Sequence, residues 1–453
     1  MQVLEAIFGT IKSLDSGLVL ILVFFIIGLI IRMKPLKALS AGLTFGIALT
    51  GVNMVTGYIT GSVSGAAAAF AENAGNTNLI ALDMGWGAAL GIAWQWKLAF
   101  LMFPLHIIVN LIMLLLGKTF TLNVDMWNVA NKVATGFFVY CVSGSVIVGF
   151  AVTAVQAVLE LLIGDANRYA VEKISGVPGV TLPHPMFLNM PLFWPLQKLL
   201  DKIIPSNKTL DAAALKEKIG FFAETPTIGF ILGTLMGLIG KYPVVDSLMV
   251  GLKLATGLTL IPLAAKLFMT ALTPISDAAN EFISKRFPGK ELCIGLDWPI
   301  LAGASEIYIS AIISVPFVLL LALVLPFNTV LPLAGILYLC VPITAYLMYE
   351  GDLIKMIITN IVTIPFTLYA ATYFSPMLHR LALEVGTDLS GLAAGQQLAW
   401  YGIDIGFIRW FACEATVGNI VAIAFVILYA VLTFFYLKER KVKEAEIAKE
   451  LGK

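Results

Sequence analysis

The sequence predicts an all-α polytopic membrane protein with about eleven transmembrane helices, each needing roughly 20 mainly apolar residues. Three observations carry that prediction. Of 453 residues, 59% are apolar and only 13% charged, against about 25% charged in ordinary soluble domains. Long apolar runs recur from one end of the chain to the other. The 39 Gly and 20 Pro are scattered among those runs, a usage common in membrane helices and unlike the alternating strands of an outer-membrane barrel. The shortage of charge excludes a soluble or disordered chain. A net charge of +1 leaves no basic field for nucleic acid. Cys141, Cys293, Cys340 and Cys413 lie far apart in apolar sequence and form neither a zinc pattern nor a disulfide framework. No metal or other cofactor is therefore expected. Nor is a cleaved signal peptide, because no small-residue cleavage site follows the first apolar run.

In chain order the candidate spans are 17–32, 40–62, 98–116, 133–162, 228–240, 247–272, 299–325, 329–349, 353–374 and 418–437. The stretches 80–96, 182–200 and 385–411 are apolar but interrupted by Gly, Pro or carboxylates, and read as re-entrant hairpins or broken helices. Cationic loops face the cytoplasm. Four basic clusters stand out: Arg32, Lys34 and Lys37; Lys198, Lys202, Lys208, Lys216 and Lys218; Lys285, Arg286 and Lys290; and Lys438, Arg440, Lys441 and Lys443. Placing all four inside puts the N-terminus outside and the C-terminus in the cytoplasm.

The polar segment divides the chain into a first repeat with its hairpin (1–197), a cytoplasmic linker (198–226), a second repeat (227–437) and a basic tail (438–453). Residues 19–73 align without a gap on 228–282. Gly28-Leu29-Ile30 falls on Gly237-Leu238-Ile239, Gly42-Leu43 on Gly251-Leu252, and Glu72 on Glu281. After a five-residue insertion, Leu82-Asp83 falls on Leu296-Asp297. The charges swap sides between the two copies: the first loop is basic in one and balanced in the other, and the opposite holds for the later loop. Inverted repeats with interrupted helices are the signature of a transporter.

Ionisable groups at membrane depth mark cavities or interior partners. Asp83 precedes Trp86, and Asp297 precedes Trp298. A carboxylate, an aromatic face and a helix breaker would suit a polyol or sugar, although each Asp could equally cap the helix that follows. If 123–131 is helical, Asp125, Asn128 and Asn131 share a face with Val124 and Trp127 beside it, although the stretch could equally be a solvated helix entrance. His184 is held between Pro183 and Pro185, so its imidazole is presented from a fixed bend. His106 reads as an interhelical hydrogen-bonding residue. Glu224 precedes a helix N-terminus, which would favour its charge whether or not it binds a ligand. Glu306 and Glu414 could simply pair with a neighbour such as Arg409.

Taken together, Asp83-Met84-Gly85-Trp86, Asn123-Val124-Asp125-Met126-Trp127-Asn128, Pro183-His184, Glu224-Thr225-Pro226 and Gly295-Leu296-Asp297 resemble the membrane (IIC) component of the phosphoenolpyruvate-dependent sugar phosphotransferase system. The nearest branch is the galactitol type within the ascorbate–galactitol superfamily. Pro185 and Ala223 stand where that pattern has glycine. The resemblance implies a bacterial cytoplasmic-membrane homodimer of inverted repeats, with a scaffold and a mobile core domain moving by an elevator mechanism. It further implies a sugar-alcohol permease whose substrate is phosphorylated by a separate cytosolic IIB chain, itself supplied by IIA. Asp83, Trp86, Asp125, Trp127, Asn128, His184, Glu224 and Asp297 would then line the substrate site. No phosphorylated cysteine is expected here, since the tail after Phe435 is too short for a IIB domain. An ion-coupled secondary transporter of a small polar solute is the alternative reading of the same repeats and carboxylates.

Overall fold

The computed structural model describes residues 16–204, 220–285, 292–301 and 304–452. Lys208, Lys216, Lys218, Arg286 and Lys290 lie outside the described residues, as does the centre of the expected linker.

The first half opens on α1 (Ser16–Ile30) and α2 (Pro35–Asn73). Pro35 starts α2 where a first-turn N–H would have no intrahelical partner, so its missing donor costs nothing. Arg32 turns the chain with a left-handed φ of 65°, and the Met33 N–H donates back to the Gly28 carbonyl at 2.9 Å. A Cβ on Gly28 would lie 2.5 Å from the Ala38 methyl, so the helices touch only because that residue is glycine. There follow β1 (Ala81–Asp83), α3 (Gly85–Trp94), α4 (Met102–Leu115), β2 (Thr121–Leu122), α5 (Met126–Ser143), α6 (Val146–Asp165), α7 (Arg168–Ser175), β3 (Val180–Thr181) and α8 (Met190–Ile203).

The second half runs α9 (Thr225–Ile239), α10 (Val244–Ser284), β4 (Cys293–Gly295), α11 (Ser305–Val324), β5 (Val330–Leu331), α12 (Cys340–Tyr349), α13 (Leu353–Glu384), β6 (Gln397–Ala399), α14 (Gly406–Ala415) and α15 (Ile420–Glu450). Its opening turn reproduces the first at the aligned residues. Lys241 has a φ of 61°, Tyr242 donates to the Gly237 carbonyl at 3.0 Å, and a Cβ on Gly237 would meet Ser247. The helices α1, α2, α9 and α10 pack chiefly on one another.

Five helices among the described residues are long and apolar enough to cross a bilayer, or six if Gly85–Trp94 and Ala99–Leu115, bent by 94°, form one span. The remaining apolar runs fall on shorter helices such as α9 and α12, on the charge-bearing α10, or on interrupted segments. Thus 80–96 holds β1 and α3, 182–200 a 3-10 turn and α8, and 385–411 β6 and α14.

The strands are absent from the all-α expectation. They form two three-stranded parallel sheets in the order β5-β1-β6 and β2-β4-β3. Leu82 stands opposite Leu331 and Leu398, while Ile294 stands opposite Leu122 and Val180. In each sheet the central strand comes from one half of the chain and both neighbours from the other. A broken helix at membrane depth leaves N–H and C=O groups that water cannot reach, and strand pairing satisfies them. At two or three residues each, such strands are too short to show any sequence period.

The basic end of the chain continues α15 as helix and is tied down by ion pairs. Glu439 meets Lys198 at 2.6 Å, Arg440 meets Glu444 at 2.9 Å, and Glu450 meets Lys173 at 2.7 Å. The two exposed pairs, Glu439–Lys198 and Glu450–Lys173, contribute little each, at most about 1 kcal/mol, whereas Arg440–Glu444 is buried.

Candidate functional site

Each sheet ends at a buried cluster of polar groups, and the two clusters differ. At the first, Asp83 is fully buried and accepts four backbone N–H groups. Gly85 and Tyr401 donate to Oδ1 at 3.0 and 2.9 Å, and Leu333 and Gly335 to Oδ2 at 3.2 and 2.5 Å. These donors come from the segments following β1, β5 and β6, so one carboxylate ties together the ends of all three strands. Trp86 packs into the adjoining hydrophobic core.

Although Asp297 aligns with Asp83, it lies two residues beyond the end of β4 rather than on the strand, and its surroundings are different. Its Oδ1 accepts the Trp298 N–H at 2.7 Å and faces His184 Nε2 at 3.4 Å. His184 is held from its other side, where Nδ1 accepts the Met186 N–H at 3.2 Å. A backbone amide can only donate, so the neutral ring carries its proton on Nε2, toward Asp297. Gly295 brings this arrangement close to β2, because a Cβ there would lie 2.8 Å from Pro183 and 3.1 Å from Asn123.

Asn123 links the site to α4. Its carbonyl meets His106 Nε2 at 2.9 Å, and its N–H donates to Asn110 Oδ1 at 2.8 Å. Its side-chain oxygen accepts from the Asp125 N–H at 3.3 Å and from Asn128 Nδ2 at 3.2 Å. His106 thus hydrogen-bonds a backbone carbonyl in the segment between β2 and α5, and not another helix as its apolar setting implied. The charges of Asp125 and Asp404 reach Asp297, and that of Lys132 reaches His184.

Behind these residues runs a buried network. Lys132 pairs with Glu160, both side chains fully buried, and also donates to the Asn128 carbonyl at 2.7 Å. Gln156 donates to Glu160 at 2.7 Å and accepts the Thr135 hydroxyl at 2.5 Å. Arg409 Nε donates to Thr135 at 2.8 Å. Asn131 donates to Asp404 at 2.7 Å, and the Cys340 thiol bonds the other Asp404 oxygen. Lys132, Glu160, Asp404 and Arg409 therefore all lie buried in one network.

The structure brings His184, Asp297, Asp125 and Asn128 into one place. Asp83 and Trp86 lie at the other sheet, and Glu224 is exposed at the start of α9. The Trp127 side chain lies outside the described residues. Arg409 does not pair with Glu414, which instead accepts from the Tyr373 hydroxyl at 2.5 Å and from Asn419 at 3.1 Å. Lys132, Glu160 and Asp404 were missed, yet each is a lone ionisable residue in an apolar run, a signal that sequence does carry. A cavity of about 240 Å³ between α8, α12, α13 and α14 is lined largely by apolar side chains such as Leu192, Val341 and Phe366. It contains neither His184 nor Asp297, and its lining does not suit a polyhydroxylated solute.

Long apolar helices, broken segments that pair as strands, and a buried polar cluster where the two halves meet define a polytopic membrane protein. Residues 15–393 match the family EIIC-GAT, described as the PTS system sugar-specific permease component. The chain belongs to that family. It is 29% identical to the PTS system galactitol-specific EIIC component of Escherichia coli (strain K12) over 444 residues, covering 96% of this chain and 98% of that protein. The galactitol-specific EIIC component of Escherichia coli O157:H7 matches with the same identity and coverage.

Proposed function

We propose that this chain is the membrane permease of a sugar-alcohol phosphotransferase system, taking galactitol or a closely similar hexitol, and that His184 and Asp297 hold the hydroxyl that becomes phosphorylated. The observation that carries the reading is the His184–Asp297 pair at the end of the second sheet. His184 offers an N–H and Asp297 an acceptor, the two roles one hydroxyl needs. Asp125 and Asn128 supply further polar groups beside them. Asp83, with its oxygens committed to four amides, is a structural group in this reading. Glu224 at its exposed helix end and Trp86 in the core stand outside the site.

In the reaction the substrate oxygen forms a bond to phosphorus as the phosphorus–sulfur bond of a phosphocysteine on the IIB partner breaks and the thiolate leaves. The hydroxyl proton passes to Asp297, the one member of the pair with an open lone pair. A loose transition state asks little of a base, so the contribution here is mainly positioning. Family membership favours this coupling over an ion gradient. Changing Asp297 to Asn removes a charge-assisted bond of about 1.5–3 kcal/mol, so titration calorimetry with galactitol should show affinity roughly ten- to hundred-fold weaker. His184→Gln keeps a side-chain donor and should bind better than His184→Ala. Normal galactitol binding by Asp297→Asn would remove that residue from the site.

The reading includes inverted repeats, a homodimer and elevator motion. The exchange of central strands and the matched opening turns support the repeats, and the separate packing of α1, α2, α9 and α10 supports a frame against which the rest moves. With the N-terminus outside, a cysteine placed at Gly75 reacts with an impermeant maleimide in intact cells, and one placed at Lys285 reacts only after permeabilisation. Labelling of both from the same side would remove the inversion.

A further inference from the structure

Asp404 precedes α14 and is almost wholly buried, and neither its sequence context nor the galactitol reading gave it a task. Its Oδ2 accepts from Asn131 and its Oδ1 from Cys340. Asn131 and Arg409 beside it, and Asn128 one turn before Asn131 on α5, are incompletely used. Asn131 Oδ1, Asn128 Oδ1 and Arg409 Nη1 are buried without a hydrogen-bond partner, three of the nine such side-chain atoms among the described residues. Native structures leave few such atoms unpaired, so a cluster of them points to a missing ligand. The set also restricts what that ligand is. A metal ion would be repelled by Arg409, and an anion by Asp404 and Asp297. A neutral polyhydroxyl chain both donates and accepts, and so matches two orphan acceptors beside one orphan donor.

We infer that Asp404, with Asn131 and Arg409, forms a second subsite that binds the hydroxyls of the sugar alcohol remote from the reacting end and sets the chain length and end group accepted. The inference rests on the sugar-alcohol reading above. A substrate spanning from His184 and Asp297 to Asp404 is gripped at both ends, so a polyol lacking one terminal hydroxyl loses one grip. Arg409 is steered by Thr135 and by the Asn131 carbonyl, leaving Nη1 as the group that meets substrate.

Cys340 provides a reporter in the native protein. In detergent-solubilised full-length chain, saturating galactitol should slow alkylation of Cys340 by N-ethylmaleimide, followed by peptide mass, and leave Cys141 unaffected. Asp404→Asn should weaken galactitol binding about ten- to hundred-fold. It should also bring the affinity ratio between galactitol and 1-deoxygalactitol close to unity, which a purely structural role for Asp404 would not do. Galactitol binding with no protection of Cys340, or an unchanged affinity ratio in Asp404→Asn, would overturn the subsite. If Asp404→Asn does not fold, the labelling result decides alone. A native chain that binds no hexitol at all overturns the sugar-alcohol reading itself, and the subsite with it, which is a different result from normal binding without protection.

Discussion

Replacing Lys132 with Met should cost about 3–5 kcal/mol of stability, the usual penalty for stranding one member of a buried ion pair. Glu160 would keep its charge in a fully buried setting, with the Gln156 amide still donating to it. The Asn128 carbonyl would lose its donor at the same time. Thermal unfolding of the detergent-solubilised protein, followed by size-exclusion chromatography, should show a large fall in midpoint. The double change Lys132→Met and Glu160→Leu should recover much of the loss, because removing both charges also removes their desolvation penalty. If the single change leaves the midpoint untouched, Glu160 is not held as an ion. If the double change is as unstable as the single one, the pair is not the source of the effect.

The second large effect is expected at Asp83, and it separates two carboxylates that the sequence pairs. An Asn at this position presents an NH₂ group toward two of the four amides that now donate to the carboxylate. Each lost bond to a charged acceptor is worth about 1.5–3 kcal/mol, and donors facing donors add a further penalty. Asp83→Asn should therefore reduce folded protein in the membrane, whereas Asp297→Asn should keep normal levels and lose binding. Gly335→Ala tests the same point from the opposite side, since its methyl carbon would lie 2.9 Å from Asp83 Oδ2. Normal yield of both Asp83→Asn and Gly335→Ala would show that the strand ends do not depend on this carboxylate.

The Asp83 and Asp297 environments mark how far the sequence could be read. Gapless alignment correctly matched the two opening turns, down to Arg32 and Lys241, because a left-handed turn residue between two close-packed helices depends on local sequence. Continued past a five-residue insertion, the alignment paired Asp83 with Asp297, yet one ends a strand and the other lies beyond one. That distinction depends on which distant segment pairs with β1 or β4, and a three-residue strand carries no trace of its partner. His184 was legible because two prolines fix its bend. Asp404 was legible only as a lone charge in apolar sequence, because its partners Asn131 and Cys340 come from helices far away in sequence. The same holds for Lys132 and Glu160, which look like isolated charges until α5 and α6 are packed together.

The interlaced sheets also bear on how the protein is made. When the ribosome has released the first half, β1 has neither neighbour, while β2 and β3 flank a gap that β4 will fill. Asp83 meets its last amide donor only when Tyr401 has been synthesised, late in a chain of 453 residues. Until then these backbone groups need a temporary shelter, supplied by the insertion machinery or by water at the membrane surface. Assembly of the core must therefore follow synthesis of nearly the whole chain, and nascent protein stalled between β1 and β6 should be open to membrane proteases along that entire interval.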